Sequence, residues 1–199
     1  MAQLSKSRIE AFSDGVIAII ITIMVLELHI PELGREASDH ELWEALLHVM
    51  PKLGAYLLSF VIVAILWINH HNLFDKLPHS TAALVWYNAF LLFAMSLIPL
   101  PTAFLAENVN RIPATMFYGL VMFLNAFAFL LMRRYIESKA KLIPYNKHVQ
   151  QSNLLSTGLY ALSVPLALAS VYLSYFIFII IPVWYFLPDR KLKQERGGK

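Results

Sequence analysis

The side chains able to do chemistry are few, and they sit at the ends of apolar runs. Arg8, Glu10, Ser13 and Asp14 precede the run 16–26, and Glu27 and His29 follow it. His70 and His71 close a second run, and Asn88 lies near the start of a third. Adjacent residues on a helix diverge by about 100°, so the two histidines do not converge on one metal, and their spacing matches no zinc motif. No Ser-His-Asp order, glycine-rich phosphate loop or supported carboxylate pair occurs. With no Cys in the chain, thiolate metal sites, disulfides and cysteine nucleophiles are excluded as well. Catalysis, a bound metal and a cofactor are therefore not expected. A carboxylate at the centre of a membrane helix costs about 2.5–3.5 kcal/mol on insertion scales, so Asp14 is expected to act in function or in a polar network. At least one of His70 and His71 is expected to face the interior and to bond Asp14, Ser13 or Asn88.

The elements that must position these groups follow from composition. With 58% hydrophobic and 15% charged residues in 199, the chain is too apolar for an ordinary soluble domain. An all-α polytopic membrane protein is expected, with six spans at about 8–30, 53–71, 82–105, 113–132, 154–170 and 172–187. These form one unit over 1–188, and a basic cytoplasmic tail follows at 189–199. No cleaved leader is expected, because polar and acidic groups interrupt the first span where a signal peptide keeps a clean apolar region. Residues 42–50 suit a short interfacial helix, and Pro51 suits the start of a new one. Pro99 and Pro101 predict a kink or break in the third span.

Charge gives the orientation. Lys and Arg gather at the N-terminus, in the loop 133–147 and in the tail, whereas the loop 32–41 is acidic. The positive-inside rule then puts both termini in the cytoplasm of a multi-pass cell-membrane protein. The basic residues lack aromatic interleaving, so nucleic acid is not a partner and the lipid surface is.

On a helical wheel the first span carries Gly15, Ile19, Thr22, Ile23, Leu26 and Ile30 on one stripe about 100° wide, with Ser13 and Asp14 pointing away from its centre. An uncharged stripe of this kind can line a narrow path that gates by dewetting; the plain alternative is packing against lipid or a neighbouring helix. Arg8 lies six residues from Asp14, which is not a helical neighbour, so a partner on another helix or subunit, or lipid phosphate, fits it better.

Three ordered motifs carry a resemblance. Arg8, Phe12, Ser13, Asp14 and Gly15 open an apolar helix, residues 67–74 read WINHHNLF, and residues 96–102 read SLIPLPT. Together they resemble the transmembrane protein 175 family of potassium channels, in its single-repeat prokaryotic form. The resemblance implies a homotetramer in which the first helix of each subunit lines a central pore. Ile19, Ile23 and Leu26 would then form a constriction and hydrophobic gate, with Thr22 at the position linked to potassium preference. Arg8, Phe12, Ser13 and Asp14, with Trp67, His70 or His71 and Asn88, would hold the first three helices together. It further implies passive flow of potassium ions. No TVGYG-like filter occurs, so a modest preference for potassium over sodium is expected. The competing expectation is a proton-linked transporter or proton pathway that uses Asp14 and the His70/His71 region.

Overall fold

The structure, a computed structural model, describes residues 5–29, 34 and 37–186. Seven α-helices account for most of them: α1 Lys6–Leu26, α2 Asp39–Asp75, α3 Ala82–Ser96, α4 Pro99–Glu107, α5 Ile112–Arg134, α6 Lys147–Ala169 and α7 Val171–Phe186. Among the described residues, five segments are long and apolar enough to cross a membrane: α1, α2, α3 with α4, α5 extended to Lys139, and α6; α7 is a shorter apolar helix. With α7 as the sixth, the chain is an all-helical, six-crossing membrane unit.

Helix α1 ends at Leu26, so Ile30 and the outer end of the expected span fall outside it, and Ile30 is not among the described residues. The tail 189–199 also lies outside them. Helix α2 corrects the expected division into an interfacial helix and a span from residue 53. It runs unbroken for 37 residues with Pro51 inside it. It starts at a full capping box, in which the Ser38 hydroxyl accepts from the Glu41 amide and the Glu41 carboxylate accepts from the Ser38 amide. Proline removes one amide donor without cutting the remaining ladder, and here the helix continues past it. At 1.5 Å per residue α2 is about 55 Å long, well beyond a hydrocarbon core of about 30 Å.

The third crossing breaks between α3 and α4, and local chemistry accounts for it. Pro99 has no amide to offer the Met95 carbonyl, which instead accepts from Ile98 at 3.0 Å. The Ala94 carbonyl, at the same break, accepts from the Leu97 amide at 3.3 Å and from the Asn125 side-chain amide at 2.9 Å, so α5 adds a second donor to the longer backbone bond. The connection after α5 is more ordered than a basic loop. Arg133 and Arg134 complete the helix, and a π-helical turn Tyr135–Lys139 follows. In it the buried Glu137 pairs with Arg133 at 2.8 Å.

The core joins α1 through α7 around Met24, Val63, Phe74, Leu91, Met95, Tyr118, Met122 and Phe178. Helices α5 and α6 approach closely at Gly119, where a β-carbon would stand 2.6 Å from Ser163 Oγ. That hydroxyl has little freedom to retreat, because it is buried and donates to the Tyr160 carbonyl at 2.7 Å. Gly119→Ala is therefore expected to cost about 1–3 kcal/mol and to lower the thermal midpoint in detergent. An unchanged midpoint in a fluorescence melt would show that the α5–α6 contact yields without cost.

Candidate functional site

Helix α1 has two faces of unlike character. Its buried face is Ile9, Ser13, Ile17, Ile20 and Met24, a spacing of three and four residues that turns one side into the bundle. The opposite side is open: Ile19 is 58% exposed, Ile23 41% and Leu26 71%, with Gly15 and Thr22 exposed beside them. The apolar stripe is therefore largely open within one chain, with Ile19 and Ile23 bordering a groove shared with Ser96, Pro99 and Leu100, whereas the polar Ser13 is fully buried.

Ser13 begins a run of hydrogen bonds across three helices. Its hydroxyl donates to the Ile9 carbonyl at 2.8 Å and accepts from Asn88 Nδ2 of α3 at 2.9 Å. Since the Asn88 amide nitrogen points to Ser13, its Oδ1 is left as an acceptor, and His70 Nε2 of α2 donates to it at 2.8 Å. The His70 ring stacks on Phe74 with centroids 4.2 Å apart. Ser13, His70 and Asn88 are all buried. Of the two adjacent histidines, His70 is the one facing inward; His71 is exposed and lies against the Trp67 ring at 6.1 Å.

Asp14 lies outside this run. Its Oδ1 accepts from Trp67 Nε1 at 2.9 Å, a second tie between α1 and α2 on the exposed side. At the start of α1, Lys6 donates to the Asp75 carbonyl at 3.0 Å, where the carbonyl end of α2 favours a cation.

Arg8 and Phe12, expected in the same network, are not brought into it within the chain. Both are exposed, and Phe12 is 64% so. Their helical positions explain this. Residues 8, 12, 15, 19, 22 and 26 repeat at intervals of three and four, so Arg8 and Phe12 extend the open stripe instead of the buried face. Glu27 and His29 are exposed past the end of α1, and His29 Nδ1 lies 3.1 Å from the Glu27 carbonyl.

A second polar cluster has no spacing signature in the sequence. Ser59 of α2 meets Thr102 of α4 at 2.7 Å and Tyr118 of α5 at 3.0 Å, while Thr102 donates to the Ile98 carbonyl at 2.7 Å. Thr102 ends the motif 96–102, but isolated Ser and Tyr residues in apolar helices carry no spacing that pairs them. This cluster fixes α4 just beyond the break, as the Ser13–Asn88–His70 run fixes α1.

Removing the Asn88 amide leaves the His70 N–H without its acceptor in an apolar interior. Asn88→Leu is expected to cost about 1–3 kcal/mol, and the double variant with His70→Phe should cost less than the two single changes added together. Thermal melts of the four proteins measure the coupling, and strict additivity would show that the pair contributes no shared bond energy.

Residues 8–99, which hold all three motifs up to Pro99, match the family model described as endosomal/lysosomal potassium channel TMEM175. A protein of Chryseobacterium sp. (strain P1-3) named as a potassium channel is 31% identical over 195 residues, covering 96% of this chain and 98% of the relative. The crystal structure of a lysosomal potassium-selective channel TMEM175 homolog from Chamaesiphon minutus superposes with a TM-score of 0.79 at 29% identity, over 92% of this chain and 96% of that one. The human endosomal/lysosomal proton channel TMEM175 is 37% identical over 102 residues, which are 49% of this chain and 20% of that protein. By near-complete coverage of a bacterial relative, by its motifs and by its fold, the chain belongs to the TMEM175 family of ion channels.

Proposed function

We propose that four copies of this chain form a passive, potassium-favouring cation channel in the cell membrane, with residues 1–188 as one six-helix unit and both termini in the cytoplasm. The observation that carries this reading is the division of α1. It turns Ser13 inward and leaves Ile19, Thr22, Ile23 and Leu26 uncovered on the opposite side. Four such faces around an axis form a path whose walls are isoleucine and leucine. The bacterial relatives named as potassium channels support potassium as the permeant ion.

Selectivity would rest on few ligands. The Thr22 hydroxyl donates within its own helix, to the Ala18 carbonyl at 3.1 Å and the Ile19 carbonyl at 2.9 Å. Its oxygen lone pairs therefore remain to coordinate a partly dehydrated cation, and a ring of four gives a weak, single-layer filter. Ile19, Ile23 and Leu26 supply the apolar constriction, which closes by excluding water. Arg8 and Phe12 continue the same exposed face at the N-terminal end of α1, which is the cytoplasmic mouth of the pore in this reading.

The proton-pathway reading has less support from the geometry. The run from His70 through Asn88 to Ser13 ends on the Ile9 carbonyl, and an amide side chain in its middle does not relay protons. Asp14 is bonded to Trp67, apart from that run.

Ion flux in liposomes tests the assignment. Potassium flux should exceed sodium flux without a proton gradient, and Ile23→Asn or Leu26→Asn should wet the constriction, raising flux several-fold or lowering selectivity. Stripe variants that behave like the parent, with flux that requires a proton gradient, would overturn the channel reading. Asp14→Asn is expected to weaken assembly or stability while the assembled protein still conducts; loss of transport from an intact assembly would favour the relay.

A further inference from the structure

Toward its C-terminal end the open face of α1 meets the break between α3 and α4 in a groove. Ile19, Ile23, Pro99 and Leu100 give the groove apolar walls, and Glu27 and Ser96 are its polar lining residues. Ser96 donates its hydroxyl hydrogen to the Phe93 carbonyl at 2.8 Å, which leaves the oxygen as an acceptor. The groove has a volume of about 420 Å³. That exceeds six waters at about 30 Å³ each, so a cation fits it with its hydration shell.

Glu27 directly follows α1 and keeps helical backbone angles, φ −76° and ψ −8°, so its place on the wheel continues that of Ile23 one turn earlier. The 21 residues of α1 span about 32 Å, which sets Glu27 a full hydrocarbon thickness from Lys6. Its side chain is exposed, and its carboxylate has no ion pair among the described residues. Other acids past this end of α1 are engaged. Glu41 accepts from the Ser38 amide, Glu44 lies 3.7 Å from His40, and Glu107 lies 3.9 Å from Lys52. Glu27 is thus a free negative charge beside walls that carry none.

We infer that Glu27 is the outer recruiting group for conduction: four copies around the mouth concentrate hydrated monovalent cations in front of the apolar constriction. The inference rests on the proposed assembly, in which the open face of α1 lines the pore. Entry into such a path requires an ion to shed water against walls that offer few ligands, so the current depends on how many cations wait at the mouth. A carboxylate raises that number through its field, which salt screens over about 30 Å at 0.01 M and about 3 Å at 1 M. Arg8, which continues the same face at the cytoplasmic mouth, has the opposite sign, so the gain falls on ions entering from outside.

Currents through the purified protein in planar bilayers test it, with the parent, Glu27→Gln and Glu27→Lys compared at low and high potassium chloride. At about 0.01 M, Glu27→Gln should lower the current of cations entering from the outer side about two- to five-fold, and Glu27→Lys should lower it further. At about 1 M the three proteins should converge. Equal currents for the parent and Glu27→Gln at low salt, beside an Ile23→Asn variant that does alter flux, would overturn the inference and leave the pore reading in place. A loss of the same size at both salt concentrations would overturn it too, because it marks a structural effect and not a field. If Ile23→Asn conducts like the parent, the pore reading falls and the inference falls with it. Should Glu27→Lys fail to assemble, the comparison of the parent with Glu27→Gln still decides.

Discussion

The fold depends on one constraint: inside a bilayer a polar group must find its partner within the protein. Helix α1 satisfies it by turning Ser13 inward, where Asn88 and the Ile9 carbonyl meet its hydroxyl. Once that face is committed, the opposite face is left open, and on it lie Ile19, Ile23 and Leu26. In a soluble protein an arrangement with isoleucine outside and serine inside would be unstable. In a membrane it costs little, because lipid or a neighbouring subunit covers the apolar side. The rotational setting of α1, on which any pore lining depends, is thus held by three buried polar side chains.

The same constraint explains why the helix break in the third crossing is tolerable. Pro99 deprives the Met95 carbonyl of its usual donor, and the chain answers with a shorter backbone bond there and side-chain donors and acceptors nearby. Asn125 reaches the Ala94 carbonyl, and Thr102 is held between Ser59 and the Ile98 carbonyl. Helices α2, α4 and α5 converge on these residues, so the break is a fixed bend with its exposed backbone paired. Since α1 also packs on α3 and α4, the bend sets part of the surface against which α1 rests.

Much of this was legible in the sequence where the controlling physics is local. Apolar run length gives the crossings, the two prolines give the break, and helical periodicity separates Ser13 from the Ile19–Leu26 stripe. What was not legible depends on neighbours. Pro51 reads as a helix start, yet the capping box at Ser38 had already begun the helix that contains it. Arg8 and Phe12 belong to the same motif as Ser13 and Asp14, but a motif in sequence spans more than one face of a helix, and the wheel separates them. The Ser59–Thr102–Tyr118 cluster brings together residues 43 and 59 positions apart, and no spacing rule announces such a meeting.

The chemistry of the open face also limits what kind of selectivity it can support. A filter of backbone carbonyls requires non-helical backbone along the axis, whereas α1 is helical from Lys6 to Leu26 and spends its carbonyls on its own ladder. Only side chains can therefore meet an ion there, and among Ile19, Thr22, Ile23 and Leu26 the sole oxygen belongs to Thr22. A cation at that level would exchange part of its water shell for a single layer of hydroxyls while isoleucines above and below exclude further ligands. Such a site discriminates chiefly by the cost of partial dehydration, which is lower for the larger potassium ion than for sodium. In the proposed tetramer the same few atoms would serve both a dewetting gate and a modest ion preference.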